Sequence, residues 1–191
     1  MKISHQISCM KLILTIATMT LISIANSSAQ TLYKATNATV SFFSKTPIED
    51  IDGKSETATT LINLETKDIA FMIQNNSFKF PNKLMQEHFN EKYMESEKYP
   101  ASNFRGNVQE DINLKITGTY KVIVKGKLTI HGITQERTIP GTIIVNEGSI
   151  TLESDFKVKN TDHEIKIPSL VVTKIAEELD VKVVATLFPK K

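Results

Sequence analysis

The sequence has little with which to do covalent or redox chemistry. Its one cysteine, Cys9, lies near the N-terminus, ahead of an apolar run. Beyond residue 29 there is no thiol, which excludes disulfides, thiolate metal ligands and a cysteine nucleophile. The chain must therefore rest on an ordinary apolar core. Tryptophan is absent, and Arg105 and Arg137 are the only arginines. No Gly-x-Ser-x-Gly elbow is present, and no glycine motif of a nucleotide-binding loop. The three histidines past residue 29, His88, His131 and His163, have no histidine partner at metal-ligand spacing, so no metal site is expected. Net charge is also lacking beyond residue 29. Of 23 basic residues, Lys2 and Lys11 fall in the first 29 positions, where no acid occurs. The remainder balances at 21 basic against 21 acidic, which gives no electrostatic ground for a nucleic-acid partner.

The first stretch reads as a targeting segment. Lys2 and Lys11 precede an apolar run from Leu12 to Ala25, and Asn26-Ser27-Ser28-Ala29 then supplies small residues. That order is a secretory signal peptide, with cleavage expected after Ala29, or after Ala25 as the nearby alternative. The run is shorter than the ~20 residues a membrane span needs. Residues 30–191 are then one domain, periplasmic or secreted, with no transmembrane segment.

Period-two alternation dominates that domain. Ile69, Phe71 and Ile73 alternate with Asp68, Ala70 and Met72. Tyr120, Val122, Val124, Leu128 and Ile130 alternate with residues such as Lys121, Lys125, Lys127 and Thr129. Ile150, Leu152, Phe156 and Val158 do the same, as do Val181, Val183, Ala185 and Leu187. Each run means one buried and one wetted face, the mark of antiparallel sheet. Asp52-Gly53, Thr117-Gly118, His131-Gly132, Pro140-Gly141 and Glu147-Gly148 punctuate the runs, and Asn146-Glu147-Gly148 reads as a hairpin turn. The fold class is all-β, a sandwich or a closed barrel on alternation alone. One segment departs from this. Asn82 to Met94 reads as an amphipathic helix capped by Asn82, with Leu84, Met85, His88, Phe89 and Tyr93 on one face. A second helical turn is expected over Thr173 to Leu179 by propensity.

Three separated blocks carry a resemblance. Leu84 to Gly106 (LMQEHFNEKYMESEKYPASNFRG), Gly126 to Thr134 (GKLTIHGIT) and the tail from Phe156 with DHEIKIPSLVVTKIAEELDVKV resemble the YceI-like proteins. Asn37 to Ser44 followed by Thr46-Pro47 is similar to the start of that domain. The resemblance implies an extended, lipocalin-like antiparallel barrel of about eight strands with a helix near one mouth. It implies a long apolar channel for polyisoprenoid-type lipids, and no enzyme activity.

On that reading Phe71, Phe78, Phe80, Leu84, Met85, Phe89, Tyr93, Phe104, Leu128 and Ile130 are the candidate channel residues. The phenylalanines cluster around the helix in sequence and read either as the channel mouth or as core that seals the barrel. Arg105 and His131 are the head-group candidates. Arginine can grip phosphate bidentately, although Arg105 alternates with Phe104 and so points toward water. His131, at a strand end, reads also as a backbone-bonding histidine. No cofactor is expected beyond a bound isoprenoid lipid or quinone, and a homodimer is compatible with the sequence. The two rival readings are a barrel that presents a bound quinone for redox or stress chemistry, and a solidly packed barrel that docks a partner.

Overall fold

A computed structural model describes residues 31–168 and 173–190. Residues 1–29, where a signal peptide is expected, lie outside the described residues. Eight strands form one closed antiparallel barrel in sequence order: β1 (Leu32–Lys45), β2 (Asp50–Asn63), β3 (Asp68–Gln74), β4 (Ala101–Val108), β5 (Gly118–Ile130), β6 (Ile133–Asn146), β7 (Ser149–Lys159) and β8 (Glu178–Pro189). β8 returns to pair with β1 and closes the barrel. The choice that alternation left open falls to the barrel.

The turns follow their chemistry. β5 and β6 are joined by His131 and Gly132 alone, and both have positive φ (51° and 75°). This is the primed two-residue turn, whose twist matches the flanking strands. Between β6 and β7, Asn146 pairs with Ser149 across Glu147-Gly148, and Gly148 supplies the φ of 79°.

Three expectations need correction. Asp52-Gly53 and Pro140-Gly141 do not separate strands; they lie inside β2 and β6. Gly53 is there because the Phe42 ring lies over it, 2.5 Å from where a Cβ would stand. Pro140 precedes Thr142↔Glu153, where pairing with β7 begins, so its missing N–H falls in a stretch with one unpaired side. Thr173 to Leu179 is a turn leading into β8, not a helix. The backbone there is engaged elsewhere. Asn160 Nδ2 donates to Ala176 O, Asn160 N to Glu177 O, and Ala176 N to Ser44 Oγ. Leu179 pairs with Val158 in the sheet. Tertiary hydrogen bonds override weak helix propensity.

The two ends of the barrel differ. At one end the interior is filled. Ile62, Leu114, Ile150 and Leu187 are wholly buried, and the 109–117 loop folds beneath them with Leu114 inserted. At the other end lies the expected helix, α1 (Lys83–His88), continued by a π-helical turn, Phe89–Tyr93. Asn82 caps it as expected, its Oδ1 accepting from Leu84 N at 2.8 Å. The strap that carries α1 is pinned by Asn75, which is fully buried. Its backbone N–H donates to Pro100 O, its Nδ2 to Tyr99 O, and its Oδ1 accepts from Ser102 Oγ.

Candidate functional site

Between the packed end and α1 the barrel encloses a cavity of about 470 Å³. That volume lies within the ~300–1,000 Å³ typical of small-molecule sites. Period-two geometry makes it. Each strand sends alternate side chains inward, and Ile73, Val122, Val183 and Ala185 are examples of aliphatic lining.

All ten candidate channel residues line this cavity. The structure divides the phenylalanines into two groups. Phe71 and Phe104 are register partners across β3 and β4, inside the barrel. Phe78, Phe80 and Phe89 pack together at the α1 end, with Phe80 and Phe89 ring centroids 4.9 Å apart. The centre of that group is Phe42, which the sequence reading missed. Its ring contacts Phe78, Phe80 and Phe89 at 5.3–5.8 Å. From α1, Leu84, Met85 and His88 reach the cavity, as do Phe89 and Tyr93 from the π-helical turn, and Leu84 remains 55% exposed.

The head-group candidates are placed otherwise. Arg105 is exposed on the outer face of β4, opposite Lys127 of β5, and does not line the cavity. His131 does not line it either. Its Nε2 faces the Glu95 carboxylate at 2.7 Å and its Nδ1 faces the His163 carbonyl at 3.2 Å. Tyr99 packs edge-on against its ring. His131 thus ties the strap after α1 to the β5–β6 turn and to the 161–163 turn.

His163 is wholly buried beside that tie. Its Nδ1 donates to Ile133 O at 3.1 Å, while Nε2 has no partner among the described residues. Burial lowers its pKa below the ordinary histidine value; the bond to Ile133 and the Asp162 carboxylate oppose this, and Arg137 adds to it. A folded pKa below the unfolded one means the unfolded chain binds the extra proton first. This contribution to stability is therefore present above the unfolded value of about 6.5 and is lost as pH falls from there toward the depressed folded value. Thermal melts should show a midpoint that drops between pH 7.5 and pH 5.5, and His163→Phe should reduce that drop. An equal drop in both proteins would remove His163 as its cause.

Charged groups on the lining are few and exposed. Lys174 Nζ lies 3.9 Å from the Glu49 carboxylate, with both side chains a third to a half accessible, and Glu153 is exposed. The inner polar groups Ser44, Asn75, Ser102 and Asn160 are satisfied within the protein. The arrangement offers a predominantly apolar cavity.

Comparison with known proteins agrees with this architecture. The crystal structure of Burkholderia cenocepacia BcnA superposes with a TM-score of 0.67 at 20% identity, covering 78% of this chain and 95% of that one. A polyisoprenoid binding domain from Saccharophagus degradans, implicated in plant cell wall breakdown, gives 0.71 at 14% identity over 84% and 99%. A Campylobacter jejuni YCEI protein gives 0.61 at 17% identity over 73% and 85%. At these identities the likeness is one of fold. No curated protein sequence matches the chain. The YceI-like domain, as a sequence family, matches residues 27–187. The chain belongs to the YceI-like family.

Proposed function

We propose that this protein holds an apolar isoprenoid-type lipid inside its barrel, in the periplasm or outside the cell. The observation that carries the reading is the apolar cavity of about 470 Å³. It supports a ligand site over a solidly packed interaction module. The fold shared with a polyisoprenoid binding domain and the signal-peptide pattern of residues 1–29 support the same reading.

The energetics suffice without any catalytic group. A carbon-sized group takes up about as much space as a water molecule's ~30 Å³ share of the liquid. The cavity then admits roughly fifteen such groups, about three isoprene units. Burying them is worth about 12 kcal/mol gross, at ~0.8 kcal/mol each. Loss of translational and rotational freedom takes back at least ~4 kcal/mol. The remainder, about 8 kcal/mol, corresponds to micromolar binding. Titration with a prenol of about three isoprene units should show saturable one-to-one binding near that affinity. Strictly linear, unsaturable partitioning would refute the proposal.

A further inference from the structure

The backbone ladder of the barrel wall is incomplete. Pairing between β6 and β7 ends at Thr142↔Glu153. From there toward α1 each strand runs on, held only on its other side: β6 to β5 as far as Ile133, and β7 to β8 as far as Lys159. A second stretch, β2 ahead of Thr59, also lacks pairing toward β3, but the chain itself fills that gap. Lys54 and Lys79 exchange backbone hydrogen bonds across it. Between β6 and β7 the described residues supply side-chain bridges instead. Ser154 Oγ donates to Pro140 O at 2.7 Å. The Arg137 guanidinium donates to Lys157 O and, at 3.4 Å, to the Asp162 carboxylate. Beyond Arg137 the 161–163 turn covers the gap, with Asp162 O accepting from Gln135 Nε2.

The cavity reaches the outer surface through this seam. On β5 and β8 only alternate residues line it, such as Val122 and Val124, or Val181, Val183 and Ala185. An intact wall shows that pattern, because the residues between them stand on the outer face. On β6 the lining is instead consecutive from Ile139 to Ile143, and on β7 from Leu152 to Ser154. Pro140 and Glu153 are exposed residues of the outer face, yet they border the cavity. The seam suits an apolar chain. Ile139 and Phe156 line it, Gly141 adds no side chain, and Pro140 has no N–H to leave unpaired.

The α1 end is held more firmly. Opening there would part the packed rings of Phe42, Phe78, Phe80 and Phe89 and unseat the buried Asn75. Opening the seam parts a few side-chain hydrogen bonds. Arg137, Asp162 and Lys157 are all partly accessible, so water can replace what they lose. We propose that the lipid enters and leaves sideways, between β6 and β7, with Arg137 as the latch of this passage. The proposal rests on the lipid-binding reading above and adds the route. The α1 end then serves as a packed cap.

The test reads exchange as well as affinity. Dansyl-labelled farnesol is loaded into the protein and chased with excess unlabelled farnesol, and its release is followed by stopped-flow fluorescence. Arg137→Ala should release the probe about tenfold faster, the share of one hydrogen bond to a charged group. Its Kd should not change, because a gate speeds entry and exit alike. Gly141→Cys combined with Ser154→Cys staples the seam. An ideal Cβ at Gly141 lies 3.9 Å from Ser154 Cβ, and a disulfide spans ~3.5–4.5 Å between such atoms. No other thiol lies beyond residue 29 to compete. The oxidised pair should lose most of its exchange and recover it on reduction. Unchanged release in both the oxidised pair and Arg137→Ala would put the route at α1 and overturn the passage, with lipid binding intact. A Kd that rises in step with release in Arg137→Ala would make Arg137 a ligand contact and overturn its role as latch. A parent protein that binds no probe would overturn the lipid reading, and the route with it. The oxidised and reduced forms of one protein give the comparison even if Arg137→Ala folds poorly.

Discussion

Gly126→Ala should unfold the barrel, or leave it with a melting transition far below the parent's. Gly126 of β5 stands directly opposite Gly106 of β4. A Cβ on Gly126 would collide with the Arg105 carbonyl oxygen and come within 2.5 Å of Gly106 Cα. These are backbone atoms, and no rotamer change can clear them. The two strands would have to separate at the centre of a closed barrel, where every neighbour is already paired. Glycine in a strand interior ordinarily marks such a close approach of two backbones. The expected loss is about 4 kcal/mol or more, at the extreme of single substitutions. Equilibrium unfolding in urea would measure it. Gly148→Ala is the matched control at a turn: a Cβ there meets nothing within 4 Å, and only the φ of 79° opposes it. Its cost should be about 1 kcal/mol, that of a left-handed backbone without glycine. Equal effects of the two substitutions would contradict the crowding seen at Gly126.

Val183→Trp should have the opposite profile, abolishing lipid binding while sparing the fold. Val183 of β8 is half-buried and lines the cavity. An enlarged side chain in a packed core ordinarily costs ~1–3 kcal/mol, because rotamers and backbone must shift to admit it. Here the added volume has empty space to enter. The indole would occupy room that the lipid needs, and binding should weaken by at least about 100-fold, since each lost isoprene unit removes several kcal/mol gross. The melting temperature should stay within a few degrees of the parent's. Retained binding would mean that the lipid does not occupy this cavity.

The strands that were legible from sequence are those whose inner faces are aliphatic and whose registers run without interruption. β5 and β6 pair from Gly118↔Val145 to Ile130↔Ile133 without a shift, and β5 shows its alternation plainly. β1 and β2 were the opposite case. Their pairing slips between Ala35 and Ala38 and again between Ala38 and Val40. A bulge changes which residues face inward and so breaks the period of two. That slip is why Phe42 escaped notice, although it sits at the centre of the aromatic group. On β2 the buried positions include Ser55, Ala58 and Thr60, which read as polar or small rather than as a core face.

The helix was legible because its cap and its apolar face are local features. The π-helical turn that continues it was not, since a bond from Met94 N to Phe89 O leaves no mark in side-chain spacing. The candidate channel residues came from family resemblance and from clustering in sequence. The structure brings all ten to one cavity, though in two groups that clustering alone did not separate. His131 and Arg105 were singled out for chemistry that their surroundings do not offer. One is engaged by Glu95 and the His163 carbonyl, and the other faces away from the barrel interior. Side-chain type suggested a head-group contact, and strand parity decided against it at Arg105.

The central claim is that the barrel carries a lipid in its cavity, and the protein recovered from its own cell envelope tests this most directly. Gentle purification followed by mass spectrometry of the intact protein and of its organic extract would show the occupant. The account predicts an isoprenoid-type lipid in one-to-one ratio with the protein, released on unfolding. Protein recovered at its bare mass, with an extract free of prenyl lipid, would contradict it.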